Sequence, residues 1–255
     1  MKKPVMKRAC LLVGLLLVGC RGSFQAEKGL VDRMQRVAVI AFTVPGYVIE
    51  EATSSGDLAG LSASVGFVKQ VAGGKEVKGN GEQVAQEAYP GFIKTMLLQM
   101  HFKLVDHQTV VNSAEFQAIK TQYDESPTYG LQKAAMTGLP VVALAKGDKA
   151  ELARKAAKAL GVDGVLMIDV EELKYSLYSG IQGSGTAKAN GKAYFKLYDA
   201  SGKAVWQDMD ALQTDKTAAM VTGGLAPDQA KELHEDVGVT IASKFFSTYQ
   251  KKAGK

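Results

Sequence analysis

The chain has 255 residues, 46% of them hydrophobic, with 31 lysines and arginines against 26 aspartates and glutamates, for a formal net charge of +5. Four of those cations, Lys2, Lys3, Lys7 and Arg8, stand in the first eight residues, so beyond residue 19 the count falls to 27 basic against 26 acidic. So balanced a chain carries no electrostatic footprint for nucleic acid, which is excluded as a partner, while its apolar content is enough to fill a core.

The N-terminus reads as a signal peptide over residues 1–19: the four cations form the basic region, and Leu11 to Val18 is an apolar run too short for a bilayer span, which needs about 20 residues. It ends in Leu17, Val18, Gly19 and Cys20, which look like a bacterial lipobox. The resemblance to lipoproteins implies acylation of Cys20, including palmitate-type chains, and removal of the preceding peptide. One acyl chain holds a protein marginally and two or more hold it stably, so the membrane is the first expected partner. Arg21, in the place where aspartate favours the inner membrane, points to an outer-membrane anchor facing the periplasm in a Gram-negative cell. Cys10 leaves with the signal and Cys20 is consumed, so no thiol remains for a disulfide or thiolate site.

Residues 20–35 read as a lipidated N-terminus and polar tether. Val37 to Phe42 is an apolar run ended by Pro45 and Gly46, as a buried strand would be. Residues 47–81 read as a Gly/Ser-rich insertion, through which Leu61, Val65, Phe67, Val68 and Val71 are scattered; at this spacing they suit a partner groove or the membrane surface, or local packing on the sheet edge.

A helix is expected from Glu82 or Pro90 to Met100, with Phe92, Ile93, Met96, Leu97 and Met100 on one face. Phe102 to Asp106 reads as a short strand. Asn112 or Ser113 caps a helix holding Phe116 and Ile119, and Asp124 to Tyr129 breaks it. Within residues 130–148, Val141 to Leu144 suits a strand or part of a helix. Lys149 to Leu160 reads as a helix stopped by Gly161, and Val165 to Val170 as a strand continuing toward Tyr178.

Gly180 to Gly191 has the composition of a turn or mobile loop. Ala193 to Tyr198, the turn Asp199-Ala200-Ser201-Gly202 and Ala204-Val205-Trp206 form a hairpin. Pro227 opens a final helix with Ala230, Leu233, Val237, Ile241, Phe245 and Tyr249 in one stripe, and residues 251–255 read as a tail. The expected fold is α/β (α+β): a mixed β-sheet covered by helices, a single domain over residues 36–250 with the long Gly/Ser-rich insertion.

The element order, with the segments Ala159-Leu160-Gly161-Val162-Asp163-Gly164-Val165 and Leu197-Tyr198-Asp199-Ala200-Ser201-Gly202-Lys203-Ala204-Val205-Trp206, resembles the periplasmic CsgG/TolB-N-terminal-like superfamily. That resemblance implies an anticodon-binding-domain-like fold, action through partners and no catalytic residues. Its pore-forming branch inserts two hairpins per subunit, for which Tyr47 to Lys78 and Leu173 to Gly191 are the counterparts. A membrane strand needs about 9–11 residues with outward apolar alternation, which neither segment sustains.

Chemistry is thinly marked. Asp169, Glu171 and Glu172 read as solvated strand residues, and Asp106 with His107 lacks a convergent partner. His101, His107 and His234 make no ligand spacing, so no metal or cofactor is expected. No G-x-S-x-G elbow or phosphate loop is present, and Trp206 reads as a core residue. The expectation is a membrane-anchored, non-enzymatic lipoprotein of the cell envelope that serves as a binding or assembly accessory factor to an envelope protein. The alternatives are a CsgG-like oligomeric outer-membrane secretion channel component, or a lipid-interacting lipoprotein that uses amphipathic segments.

Overall fold

The structure is a computed structural model that describes residues 24–51, 81–181, 184–221, 224–225 and 227–253. The strands are β1 (Gln25–Ala26), β2 (Arg36–Pro45), β3 (Ile49–Glu51), β4 (Lys103–Leu104), β5 (Lys133–Ala135), β6 (Gly164–Ile181), β7 (Ser184–Asp199), β8 (Ala204–Gln213), β9 (Ala218–Val221) and β10 (Gly224–Leu225). The helices are α1 (Lys28–Val31), α2 (Gly81–Gln99), α3 (His107–Val111), α4 (Ala114–Tyr123), α5 (Ser126–Tyr129), α6 (Ala150–Leu160) and α7 (Pro227–Lys252).

One mixed sheet runs in the order β1-β8-β7-β6-β2-β4, with β3 beside β6, β5 beside β2, and β9 joining β10 to β7. The mixed sheet covered by helices is therefore as expected. Strand β2 lies parallel to β6 and β4, as chains returning through helices must, whereas β6, β7 and β8 form an antiparallel meander. The alternation of side chains across β7 divides the core. Phe195 meets Phe245 of α7 at 4.8 Å, and its neighbour Lys196 reaches the Leu144 carbonyl on the opposite face at 3.4 Å.

Helices α2 and α7 cover the first face: Phe42 packs edge-on to Tyr89 at 5.5 Å, and Trp206 lies 4.5 Å from Tyr249. Of the expected stripe, Leu233, Val237, Ile241, Phe245 and Tyr249 are buried while Ala230 at its start is half-buried, and Trp206 is fully buried, as expected. Helix α6, with Leu152, Ala153, Ala156 and Ala157 buried, packs on β6 and β7.

Three local signals are realised by turn chemistry. Gly161 ends α6 at φ 60° and ψ 47°, a left-handed conformation that disfavours a side chain. Asp163 then accepts from the backbone N–H groups of Gln35 and Arg36 at 2.8 and 2.9 Å, tying the start of β2 to that of β6 and holding its carboxyl below the usual range. Asp199 Oδ1 accepts from the N–H groups of Ser201 and Lys203 and closes the β7–β8 turn. The two segments that resemble the CsgG/TolB-like superfamily thus do structural work at one end of the sheet.

Four expectations are corrected. Residues 24–35 belong to the fold rather than to a tether, because β1 pairs with β8 and both Val31 and Met34 are buried. Within the stretch Gly180 to Gly191, the described residues 180–181 and 184–191 are strand and not loop, pairing through Gly180 and Gly185. Leu97 does not share the buried face of Phe92 and Met96 but is 52% exposed, beside Leu98 at 80%. Residues 251–252 continue α7 rather than forming a tail. Strand β3 falls inside the expected insertion, and residues 52–80 of it lie outside the described residues.

Candidate functional site

The lipobox residues Leu17, Val18, Gly19 and Cys20 lie outside the described residues, as do Leu61, Val65, Phe67, Val68 and Val71. Asp106 is the N-cap of α3, accepting from Gln108 N and Thr109 N, so its carboxylate is committed to a helix end. His107 lies against the Tyr89 ring at 5.1 Å. Among the described residues no group of three or more potential ligands converges on a metal position.

Asp169 overturns its sequence reading. It is 1% exposed, and its oxygens are divided between Lys133 Nζ and the Leu144 backbone N–H, each at 2.9 Å. Burial pushes its pKa upward, and the Lys133 ammonium and Leu144 N–H oppose that rise. Lys133 also donates to the Val170 carbonyl at 3.0 Å. Glu171, by contrast, sits at a bulge of β6 and pairs with Lys192 at 2.8 Å.

Asp169 is one of four side chains that hold the buried segment 141–144 on the sheet. Val141 N donates to Asp124 Oδ1 at 3.1 Å, Val142 N to Thr43 Oγ1 at 3.1 Å, and Ala143 N to Glu125 Oε2 at 2.7 Å. With Leu144 on Asp169, four consecutive backbone donors are satisfied by side chains, and the segment is neither the strand nor the helix its composition suits. Each such donor left unpaired would cost about 1–3 kcal/mol, so the arrangement is a latch. Lys149 pairs with Glu125 and fixes the far side of it. Asp169 and Lys133 are therefore occupied in holding the chain, with no carboxylate oxygen left facing a cleft.

A second polar cluster lies between the helices. His234 of α7 is 3% exposed, its Nδ1 is 2.5 Å from Glu87 Oε2 of α2, and its ring stacks on Tyr175 of β6 at 5.7 Å. Burial lowers the His234 pKa, against the upward pull of Glu87. Because a carboxylate only accepts, it is the ring Nδ1–H that donates to Glu87.

Beyond the core the β6–β7 hairpin continues as a ribbon flanked by β3 and β9. Leu173, Tyr175, Ala187 and Ala189 are buried on its helix side. Its other side is polar: Lys174 stands opposite Asn190, and Glu172 opposite Lys192. There Lys188 lies 4.5 Å from the ring of Tyr178, which is 62% exposed.

No protein-family model matches the chain, and no curated protein matches it. Among solved structures, it is similar to the PelC dodecamer from Paraburkholderia phytofirmans, with 12% identity over 87% of this chain and 95% of that one and a TM-score of 0.29. Lipoprotein GNA1162 from Neisseria meningitidis matches at 15% identity over 82% of this chain and 99% of that one, TM-score 0.31. The hypothetical protein CT253 from Chlamydia trachomatis matches at 9% identity over 86% and 95%, TM-score 0.33. These likenesses do not show membership of the CsgG/TolB-like superfamily.

Proposed function

We propose that this chain is a membrane-anchored, non-enzymatic lipoprotein of the bacterial envelope that acts as a binding or assembly accessory factor. The observation that carries the reading is the placement of the lipobox directly ahead of the fold. Only Arg21, Gly22 and Ser23 separate Cys20 from Phe24, and β1 begins at Gln25. Four residue steps span at most about 14 Å, so acyl chains on Cys20 would hold the domain against its membrane. The commitment of Asp106, Asp169 and Lys133 to caps and latches supports a role through surfaces rather than chemistry. With Cys20→Ser, labelled fatty acid is expected to vanish from the protein and the chain to leave the membrane fraction; retention of both would sink the reading.

A second reading, a CsgG-like oligomeric channel, draws support from the long β6–β7 ribbon of 18- and 16-residue strands. Against it, the open side of that ribbon presents Glu172, Lys174 and Lys192 where a lipid-facing strand needs apolar residues. Light scattering of the full chain in mild detergent discriminates: a discrete ring favours the channel, a monomer the accessory factor.

A further inference from the structure

Helices α2 and α7 run in the same direction, since Glu87 meets His234 and, about one turn further on in both, Phe92 lies against Gly238. Both therefore end on the side of the fold where β2, β4 and β6 begin. The chain arriving from Cys20 enters at this same end. Phe24 is covered by Lys252 at 5.0 Å, and the Tyr249 hydroxyl of α7 donates to Asp32 at 3.3 Å.

The exposed charge of this end is one-sided once its pairs are removed; the Asp208 carboxylate, which feels the charge of Lys252, is buried. Asp32 is matched by Lys28 at 2.9 Å, Glu27 by Lys203 at 2.7 Å, and Asp163 is spent on backbone donors. Arg33, Arg36, Lys103, Lys251 and Lys252 are all exposed, and none of them is in an ion pair among the described residues. Three of the five line one surface concavity with His101. Just before His101 the last turn of α2 exposes Leu97 and Leu98, two of the three large hydrophobic residues exposed among the described residues.

We infer that this end of the domain is a docking surface for an anionic bilayer, with the five cations on lipid headgroups and the Leu97–Leu98 step entering the interface. The inference rests on the anchored reading, because the short link from Cys20 is what brings this end to the membrane. Cationic side chains gain from an anionic surface within a Debye length of about 8–10 Å, a range that a leash of this size can reach. Exposed leucines beside lysines and arginines suit the headgroup boundary.

The test uses the full acylated protein in vesicles. With Cys10 removed and Cys20 acylated, Leu98→Cys or Tyr178→Cys supplies a single free thiol for a nitroxide, the second at the far tip of the sheet. In phosphatidylcholine–phosphatidylglycerol vesicles, the Leu98 label should show a several-fold higher oxygen-to-nickel-chelate accessibility ratio than the Tyr178 label. Adding Arg33→Glu, Lys103→Glu and Lys252→Glu should return it to the Tyr178 value, and pure phosphatidylcholine vesicles should do the same. A Leu98 label as aqueous as the Tyr178 label, on protein that carries acyl chains and floats with the vesicles, overturns the docking surface and leaves the anchor standing. Shielding that is equal in the uncharged vesicles overturns the role of the cations. Protein that carries no acyl chain overturns the anchored reading and, with it, this inference.

Discussion

Gly238 of α7 lies so close to Ala88 of α2 that a Cβ at residue 238 would stand 1.9 Å from the Ala88 carbonyl oxygen. The helices that build the first face of the core touch backbone to backbone at this point. Helix propensity alone favours Gly238→Ala by up to about 1 kcal/mol, whereas overpacking at such a contact costs about 3 kcal/mol. The second effect wins because no flexible side chain is there to yield. The urea midpoint of the variant is expected to fall, and an unchanged or higher midpoint would contradict the close contact.

Asp169→Ala removes the acceptor for two groups, the Lys133 ammonium and the Leu144 N–H. Breaking one half of a buried pair costs about 3–5 kcal/mol, because the remaining charge is stranded. The double substitution Asp169→Ala with Lys133→Met should recover part of that loss. Hydrogen exchange localises the effect: the Leu144 amide should lose protection in the single variant before the Ile168 amide does. Equal loss at both positions would mean that Asp169 does not act as a local latch.

His234 gives the fold a sensitivity to acid. Burial chiefly, opposed by Glu87, holds its folded pKa below the usual histidine value of about 6.5, so in mild acid the unfolded chain takes up the proton first. Its contribution is therefore complete above about pH 6.5 and is lost as the pH falls below that value, with a limiting slope of about 1.4 kcal/mol per pH unit. His234→Gln keeps an N–H donor for Glu87 without the titration. Urea unfolding measured across this window should show a shallower dependence on pH for the variant than for the parent. Parallel curves would assign the acid sensitivity to other groups.

Elements whose cause is local were legible in the sequence. Helix α6 with its Gly161 stop, the Asp199–Gly202 turn and the buried stripe of α7 each follow from periodicity or turn chemistry within a few residues. The segment 141–144 was not legible, because its four acceptors come from Thr43, Asp124, Glu125 and Asp169, up to 99 residues away. Asp169 looked solvated because polar residues follow it along β6, and only the arrival of Lys133 and Leu144 overhead reverses that. The glycines of residues 180–191 suggested a loop, yet Gly191 stands where a Cβ would lie 2.2 Å from the Glu172 carbonyl, so a strand with a close neighbour explains that residue equally well. Leu97 fits the helical period beside Phe92, but it stands one position past the buried line of Ala85, Ala88, Phe92 and Met96 and so turns outward. The basic end of the fold is scattered in sequence from Arg33 to Lys252 and is assembled by the pairing of β2 with β4, which sets Arg36 opposite Lys103, and by the course of α7, which ends in Lys251 and Lys252.

Intact mass spectrometry of the N-terminal peptide, from protein purified out of its native membrane, decides whether Cys20 is the anchor. A mature chain that starts at Cys20 and carries acyl chains on its thiol and amino group is expected. An unmodified Cys20, or a mature chain that starts at any other residue, would contradict it.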